Sequence, residues 1–150
     1  MMRQSLAAVA LIRRQTAGRV LWLARWNTKW GAYNWVSGHK RPDETFRQCV
    51  IREVGEELGL RDGEDFAVAE HPAAHVEFSA RSKRAGVQTA YTMELFDVEL
   101  CGESAAGRVD VDPQTRWLTE LEIRSKVCED GRPVSETMGQ LLAEVVPPAS

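Results

Sequence analysis

Three carboxylates stand within one helical turn of each other near the middle of this 150-residue chain: Glu53, Glu56 and Glu57, directly preceded by Arg52. At helical spacing they share one edge of a helix. Such a set suits a divalent cation, because Mg²⁺ prefers oxygen ligands and commonly takes one or a few carboxylates together with substrate phosphates. The same set is poor helix design. Glu53 and Glu57 form an i,i+4 like-charge pair that costs a few tenths of a kcal/mol. They also lie toward the negative end of the helix dipole. Gly55 between them costs about 1 kcal/mol relative to alanine. Arg52 can reach Glu56 at i+4, which offsets only part of this, whereas a cation would remove the repulsion.

The residues around the acids define the element that must hold them. Thr45-x-x-Gln48 has the form of a capping box, with Asp43 a rival N-cap and Pro42 ahead of both. Leu58-Gly59-Leu60 has the form of a C-terminal stop. A helix is therefore predicted from about Thr45 to Leu58. Phe46, Cys49, Val50, Val54 and Leu58 form its apolar stripe, and Gln48 and Gly55 point to solvent. The acids then lie at the margin of the core rather than on the outermost face.

Taken whole, Gly38 to Leu60 reads G-HKRPD-E-TFRQCVI-R-E-V-G-E-E-L-G-L. It resembles the Nudix box, G-x5-E-x7-R-E-U-x-E-E-x-G-U with U aliphatic, at every specified position. At average residue frequencies a chance match at one start point is on the order of 10⁻⁹ to 10⁻¹⁰. The resemblance implies an α+β fold, an α/β/α sandwich with a mixed β-sheet. It also implies hydrolysis of a nucleoside diphosphate linked to another moiety, by water attack on a pyrophosphate phosphorus with Mg²⁺, or Mn²⁺, as cofactor. Carried over by residue, Glu53 and Glu57 are the main metal ligands, Glu56 a further ligand, and Arg52 the group that orients the carboxylates. Gly38 allows a tight turn and offers its carbonyl to a metal. Glu44 is expected to be structural. Glu53, Glu56 and Arg52 form the catalytic set, with Glu53 the first choice for general base and Glu56 the second.

Two departures from the family pattern bear on this. An acid often precedes the tryptophan of a W-L-T-like segment; here Arg116 precedes Trp117, and Asp110 and Asp112 are the nearest loop acids. Ser37-Gly38-His39 stands where many members have Pro-Gly-Gly. His39, Lys40 and Arg41 make a basic edge able to bind substrate phosphates, with a solvated loop the alternative. Arg81, Ser82, Lys83 and Arg84 form a second basic loop, read as exposed. Trp22 is expected in the core. Trp30 and Tyr33, if exposed, offer rings on which a nucleobase could stack. His71 and His75 are four apart, but Pro72 argues against a helix that would make them a metal pair.

The remaining chain reads as strands with few helices. Ser5–Arg14 and Arg19–Trp26 form a hairpin. Residues 27–34 are a loop, and Trp35–Ser37 a short strand. Phe66–Glu70, His75–Ser79, Thr89–Cys101 and Trp117–Thr119 are further strands. Gly102–Pro113 reads as a loop, Glu120–Ser125 as a helical turn, and Ser135–Val145 as a helix ended by Pro147 and Pro148. A mixed sheet covered by two or three helices follows, in one domain spanning residues 1–150. The net charge of −3 argues against general nucleic-acid binding, though not against an anionic substrate at a metal. Three widely spaced cysteines suggest neither a disulfide framework nor a zinc site. The N-terminal apolar run is short and closed by Arg13-Arg14, so it reads as a strand rather than a signal peptide. No membrane segment is expected, and the cytoplasm is the default location. The expected partner is a small nucleotide-type pyrophosphate, and the hairpin leaves a homodimer open. A non-catalytic nucleotide-sensing or protein-binding module and an RNA-end pyrophosphohydrolase are the alternatives.

Overall fold

In the computed structural model, which describes residues 2–81 and 86–146, one long strand organises everything else. Strand β1 (Arg3–Thr16) turns at Ala17-Gly18 into β2 (Arg19–Asn27). Both turn residues have positive φ, +50° and +77°, the conformation whose twist suits a two-residue hairpin. The order then runs β3 (Ala32–Asn34), β4 (Val36–His39), α1 (Phe46–Leu58), β5 (Phe66–Val68), β6 (Ala74–Arg81) and β7 (Gln88–Leu100). It closes with α2 (Gly102–Val111), β8 (Thr115–Thr119), α3 (Glu120–Ser125) and α4 (Glu136–Val145).

The first part of β1 lies between β4, antiparallel with Ala8 opposite Gly38, and β7, parallel with Ala8 opposite Glu94. Its last residues, Arg13 to Thr16, pair instead with β2, which carries β3 and β8 on its two edges. β5 and β6 both pair with β7. The sheet is thus mixed, and β1 joins its two branches.

Strand alternation sends residues to two cores. On one face Ala8, Ala10, Ile12, Leu23, Phe66 and Phe96 pack against α1 through Cys49, Val50 and Val54, and against α2 through Ala105 and Val109. On the other, Val9, Leu11, Trp22, Leu95 and Leu118 pack against Ile123 of α3 and Met138, Leu141 and Leu142 of α4. Helices on both faces of a mixed sheet make the expected α/β/α sandwich. No helix among the described residues is long and apolar enough to cross a membrane.

Most expected elements are present, with three differences. Residues 102–111 are helical, not a loop. Gly102, Gly107 and Asp110 disguise the segment, and no side chain caps its start. The helix is held by tertiary contacts: Ala105 and Val109, four apart, are fully buried, and Arg108 pairs with buried Asp65 at 2.6 Å. Residues 32–34 form a short strand on β2 within the expected loop. Strand β4 runs through Gly38 to His39 rather than ending before it. Ser82, Lys83 and Arg84 of the basic loop, and Pro147 and Pro148, fall outside the described residues.

Helix α1 keeps the expected signals. Thr45 is the N-cap, its hydroxyl accepting from the Gln48 N–H at 3.0 Å while the Gln48 side chain accepts from the Thr45 N–H at 2.9 Å. Gly59 closes the helix in the left-handed region, φ +66°. Replacing an N-cap threonine by alanine typically costs about 1 kcal/mol. Thr45→Ala should therefore lower the unfolding free energy by that amount, read as a lower urea midpoint at unchanged slope; an unchanged midpoint would mean the box does not stabilise the helix.

Candidate active site

The acids of α1 are arranged around Arg52. Its guanidinium grips Glu44 with two bonds, Nε to Oε2 at 3.1 Å and Nη2 to Oε1 at 2.7 Å. The fork geometry of arginine matches a carboxylate in this way, and such charge-assisted pairs are the strong ones. Nη1 donates to Glu53 Oε1 at 2.8 Å and, at the limit of hydrogen bonding, to Glu56 Oε2 at 3.5 Å. Nη2 also donates to the His39 carbonyl at 3.1 Å. Glu44 is fixed from its other side by the Arg41 N–H at 2.9 Å. The side chains of Arg52, Glu44 and Glu53 are mostly buried, whereas Glu56 is exposed. Glu44 therefore ties the loop after β4 to the helix that carries the other acids, as the expected structural role requires.

Glu57 is placed differently. Its Oε2 is buried and has no hydrogen-bond partner among the described residues. Burial, then the charge of Glu53, pushes its carboxyl up to about 7, while Arg25 on β2 and the Ser37 N–H act in the opposite direction. Glu44 is the opposite case: the Arg52 hydrogen bonds and the Arg41 N–H hold it down to about 2. Hydrogen bonding to Glu44 chiefly raises Arg52 above its ordinary value, so its charge is permanent.

Gly38 is required by space rather than by a turn. Its backbone is extended within β4, and a Cβ there would overlap the carboxyl group of Glu53. The expected tight turn is thus corrected: the glycine lets the helix lay a carboxylate against the strand. The Gly38 carbonyl accepts from the Cys49 thiol at 3.5 Å. Burial raises that thiol to about 11, which fits a packing role.

The other expected residues divide. His39 is exposed on β4 and joins the site through its carbonyl. Lys40 bonds the Arg41 carbonyl at 3.2 Å and lies over the Phe46 ring, in a cleft of about 570 Å³ also lined by Arg47, Glu70 and Glu94. Glu53, Glu56 and Glu57 do not line that cleft. Arg41 contributes its backbone N–H, and its side chain is exposed. Trp30 is 56% exposed at the β2–β3 turn. Tyr33 is 2% exposed, packed edge-on against Trp26 with its hydroxyl accepting from Arg132. The condition for stacking is therefore not met at Tyr33: burial leaves no ring face for a nucleobase. Asp110 accepts from Arg14 and Trp117, fastening α2 to β1 and β8, and Asp112 accepts from the Gln114 N–H within the turn between α2 and β8. Arg116 pairs with Asp130 at 3.0 Å. His75 bonds Glu94 from a strand, not a helix.

Arg25 escaped the sequence reading. The signal was its alternation with buried Leu23, which places it on the α1 face of β2.

Among the described residues, no three His, Cys, Asp or Glu side chains are grouped so as to hold a metal ion. The carboxylates nevertheless fit a hard divalent cation in chemistry, and the orphaned Glu57 oxygen is the kind of buried atom such an ion would satisfy.

An α/β/α domain with a carboxylate-bearing helix laid against the edge of a mixed sheet defines the class. The chain belongs to the Nudix family: the NUDIX domain matches residues 3–138. Curated protein sequences give no significant match. Solved structures share the fold at low identity. The Ap4A hydrolase of C. elegans is 21% identical with a TM-score of 0.65, over 97% of each chain. The M. smegmatis Nudix hydrolase RenU is 22% identical with a TM-score of 0.58, over 93% of this chain and 84% of that one. Shewanella oneidensis NrtR complexed with a 27mer DNA is 14% identical with a TM-score of 0.63, over 93% of this chain but 59% of NrtR.

Two tests follow from this geometry. Gly38→Ala must displace Glu53 and should cost at least tenfold in any carboxylate-dependent activity with the helix content unchanged by circular dichroism; full activity would show that the close approach is dispensable. The paired pKa shifts predict opposite pH slopes for the metal-free protein. Glu44, depressed on folding, adds stability that is complete above its unfolded value of 4.5 and lost as pH falls toward about 2. Glu57, raised on folding, makes stability fall as pH climbs from 4.5 through about 7. Urea unfolding across pH should show Glu44→Gln flattening the acid limb and Glu57→Gln the neutral limb. Unaltered limbs in both variants would contradict these assignments.

Proposed function

We propose that this protein is a metal-dependent pyrophosphohydrolase that hydrolyses a nucleoside diphosphate linked to another moiety, with Mg²⁺ or Mn²⁺ as cofactor. The observation that carries the reading is the unequal treatment of four acids: Glu44 is neutralised by Arg52, whereas Glu57 keeps a buried oxygen with no partner among the described residues. A purely structural acidic face gives no reason to leave a carboxylate buried and orphaned.

In this reading Glu53, Glu56 and Glu57, with the Gly38 carbonyl, hold the metal. When bound, it neutralises charge developing on phosphoryl oxygens and on the leaving phosphate. Glu53 commits Oε1 to Arg52 and keeps Oε2 for a proton from the attacking water, with Glu56 the second candidate. Arg52 and Glu44 hold that carboxylate in place. His39, Lys40 and Arg41 form the basic edge offered to substrate phosphates, and the His39 carbonyl ties that edge to Arg52. Positioning and charge stabilisation make up most of the catalysis open to a protein in phosphoryl transfer.

Phosphate-product release should be measured across nucleoside triphosphates, dinucleoside polyphosphates, nucleotide sugars and dinucleotide cofactors with Mg²⁺. Turnover of one class is expected, reduced at least a hundredfold by Glu53→Gln and by Glu57→Gln. Folded, metal-bound protein that turns over none of them would shift the reading to a sensing module.

A further inference from the structure

Three consecutive residues where the chain crosses between the two branches of the sheet are held by the segment that opens α4. Trp35 is the single residue between β3, which pairs with β2, and β4, which pairs with β1. Tyr33 donates its N–H to the Pro133 carbonyl at 3.0 Å, and its own carbonyl accepts from the Ser135 N–H at 2.8 Å. The Ser135 hydroxyl donates to Asn34 Oδ1 at 2.8 Å and accepts from the Met138 N–H at 3.1 Å, so one side chain both caps α4 and grips the strand. The Trp35 indole N–H donates to the Met138 carbonyl at 3.2 Å. Asn34 and Ser135 are both buried. Apolar burial of Met138, Leu141 and Leu142 already holds α4 to the sheet, but burial is non-directional. A satisfied buried polar network adds what burial lacks, a single alignment.

We infer that Ser135 and Asn34 are positioning residues: through them α4 sets where the strand that carries Ser37 and Gly38 meets the acids of α1. This inference rests on the metal-dependent reading above and extends it to a helix on the opposite face of the sheet. Among the described residues β4 has a strand on one edge only, so its placement under α1 rests on β1 and on the chain that enters at Trp35. Two residues further on, the Ser37 hydroxyl bonds back to the Trp35 carbonyl at 3.3 Å, and the Ser37 N–H meets the Glu57 carboxyl group. At Gly38 the Glu53 carboxyl group lies in the space that a Cβ would fill. Displacing Trp35 therefore moves the backbone against which two of the acids rest. A grip that served stability alone would behave differently. Its loss would ease unfolding, but the molecules still folded would bind a metal as before.

The test reads the Mn²⁺ affinity of the full chain by electron paramagnetic resonance, under conditions where urea unfolding shows each variant to be folded. Ser135→Ala removes both the bond to Asn34 and the cap of α4. Asn34→Ala removes the bond and keeps the cap, and it serves alone if the first variant does not fold. Thr119→Ala is the control, because Thr119 caps α3 in the same way, accepting from the Glu122 N–H at 3.1 Å, and its side chain bonds only within that cap. Ser135→Ala and Asn34→Ala should each weaken Mn²⁺ at least threefold, whereas Thr119→Ala stays below that. A smaller loss in either variant that folds, or a threefold loss in Thr119→Ala as well, overturns the assignment. In that case wild-type Mn²⁺ binding and turnover of the nucleotide panel leave the hydrolase reading standing. A wild-type protein that binds no Mn²⁺ overturns both.

Discussion

The bidentate grip of Arg52 on Glu44 is the constraint on which the site depends. It spans two turns of α1 and fastens the loop leaving β4 to the helix that follows it. With one guanidinium edge occupied, the remaining donors reach Glu53, Glu56 and the His39 carbonyl. One arginine thereby fixes a strand end, a loop and two acids. A lysine could supply the charge but not the planar set of donors. Mostly buried and fully engaged, the network is positioned before any ligand arrives, as preorganised electrostatics require.

The sheet supplies what the helix cannot. β1 brings β4 beside β7 and then leaves to pair with β2, so the edge carrying Gly38 and the strand carrying Arg25 belong to different branches that share one spine. The α1 core, built from Val50, Val54, Phe66 and Phe96, sets the height of the helix above that junction.

Local signals carried most of this in the sequence. The capping box at Thr45, the stop at Gly59 and the stripe through Cys49, Val50 and Val54 all depend on residues within a few positions of one another, and all are found as expected. The hairpin at Ala17-Gly18 is local too. What was hidden depends on distant partners. α2 has weak propensity and no cap, and forms because Ala105, Val109 and Arg108 find a core and Asp65 across the fold. Tyr33 reads as a loop aromatic whose exposure is open, and Trp26 and Arg132 cover it in the fold. Arg25 carries no motif at all. Gly38 was legible as essential but not for the right reason, since the clash it avoids comes from a residue on another element.

That missing side chain at position 38 also bears on folding fidelity. The Glu53 carboxyl group can lie against the sheet only where the strand beneath it offers bare backbone. A slip of β4 by one residue against β1 turns Ser37 or His39 toward the helix, and a slip by two brings Val36 or Lys40 there. Each puts atoms where the carboxyl group must lie, and Gly38 is the sole glycine of β4. The glycine is therefore a register mark: only the aligned strand lets α1 seat with the Glu53 carboxyl group in its place against β4.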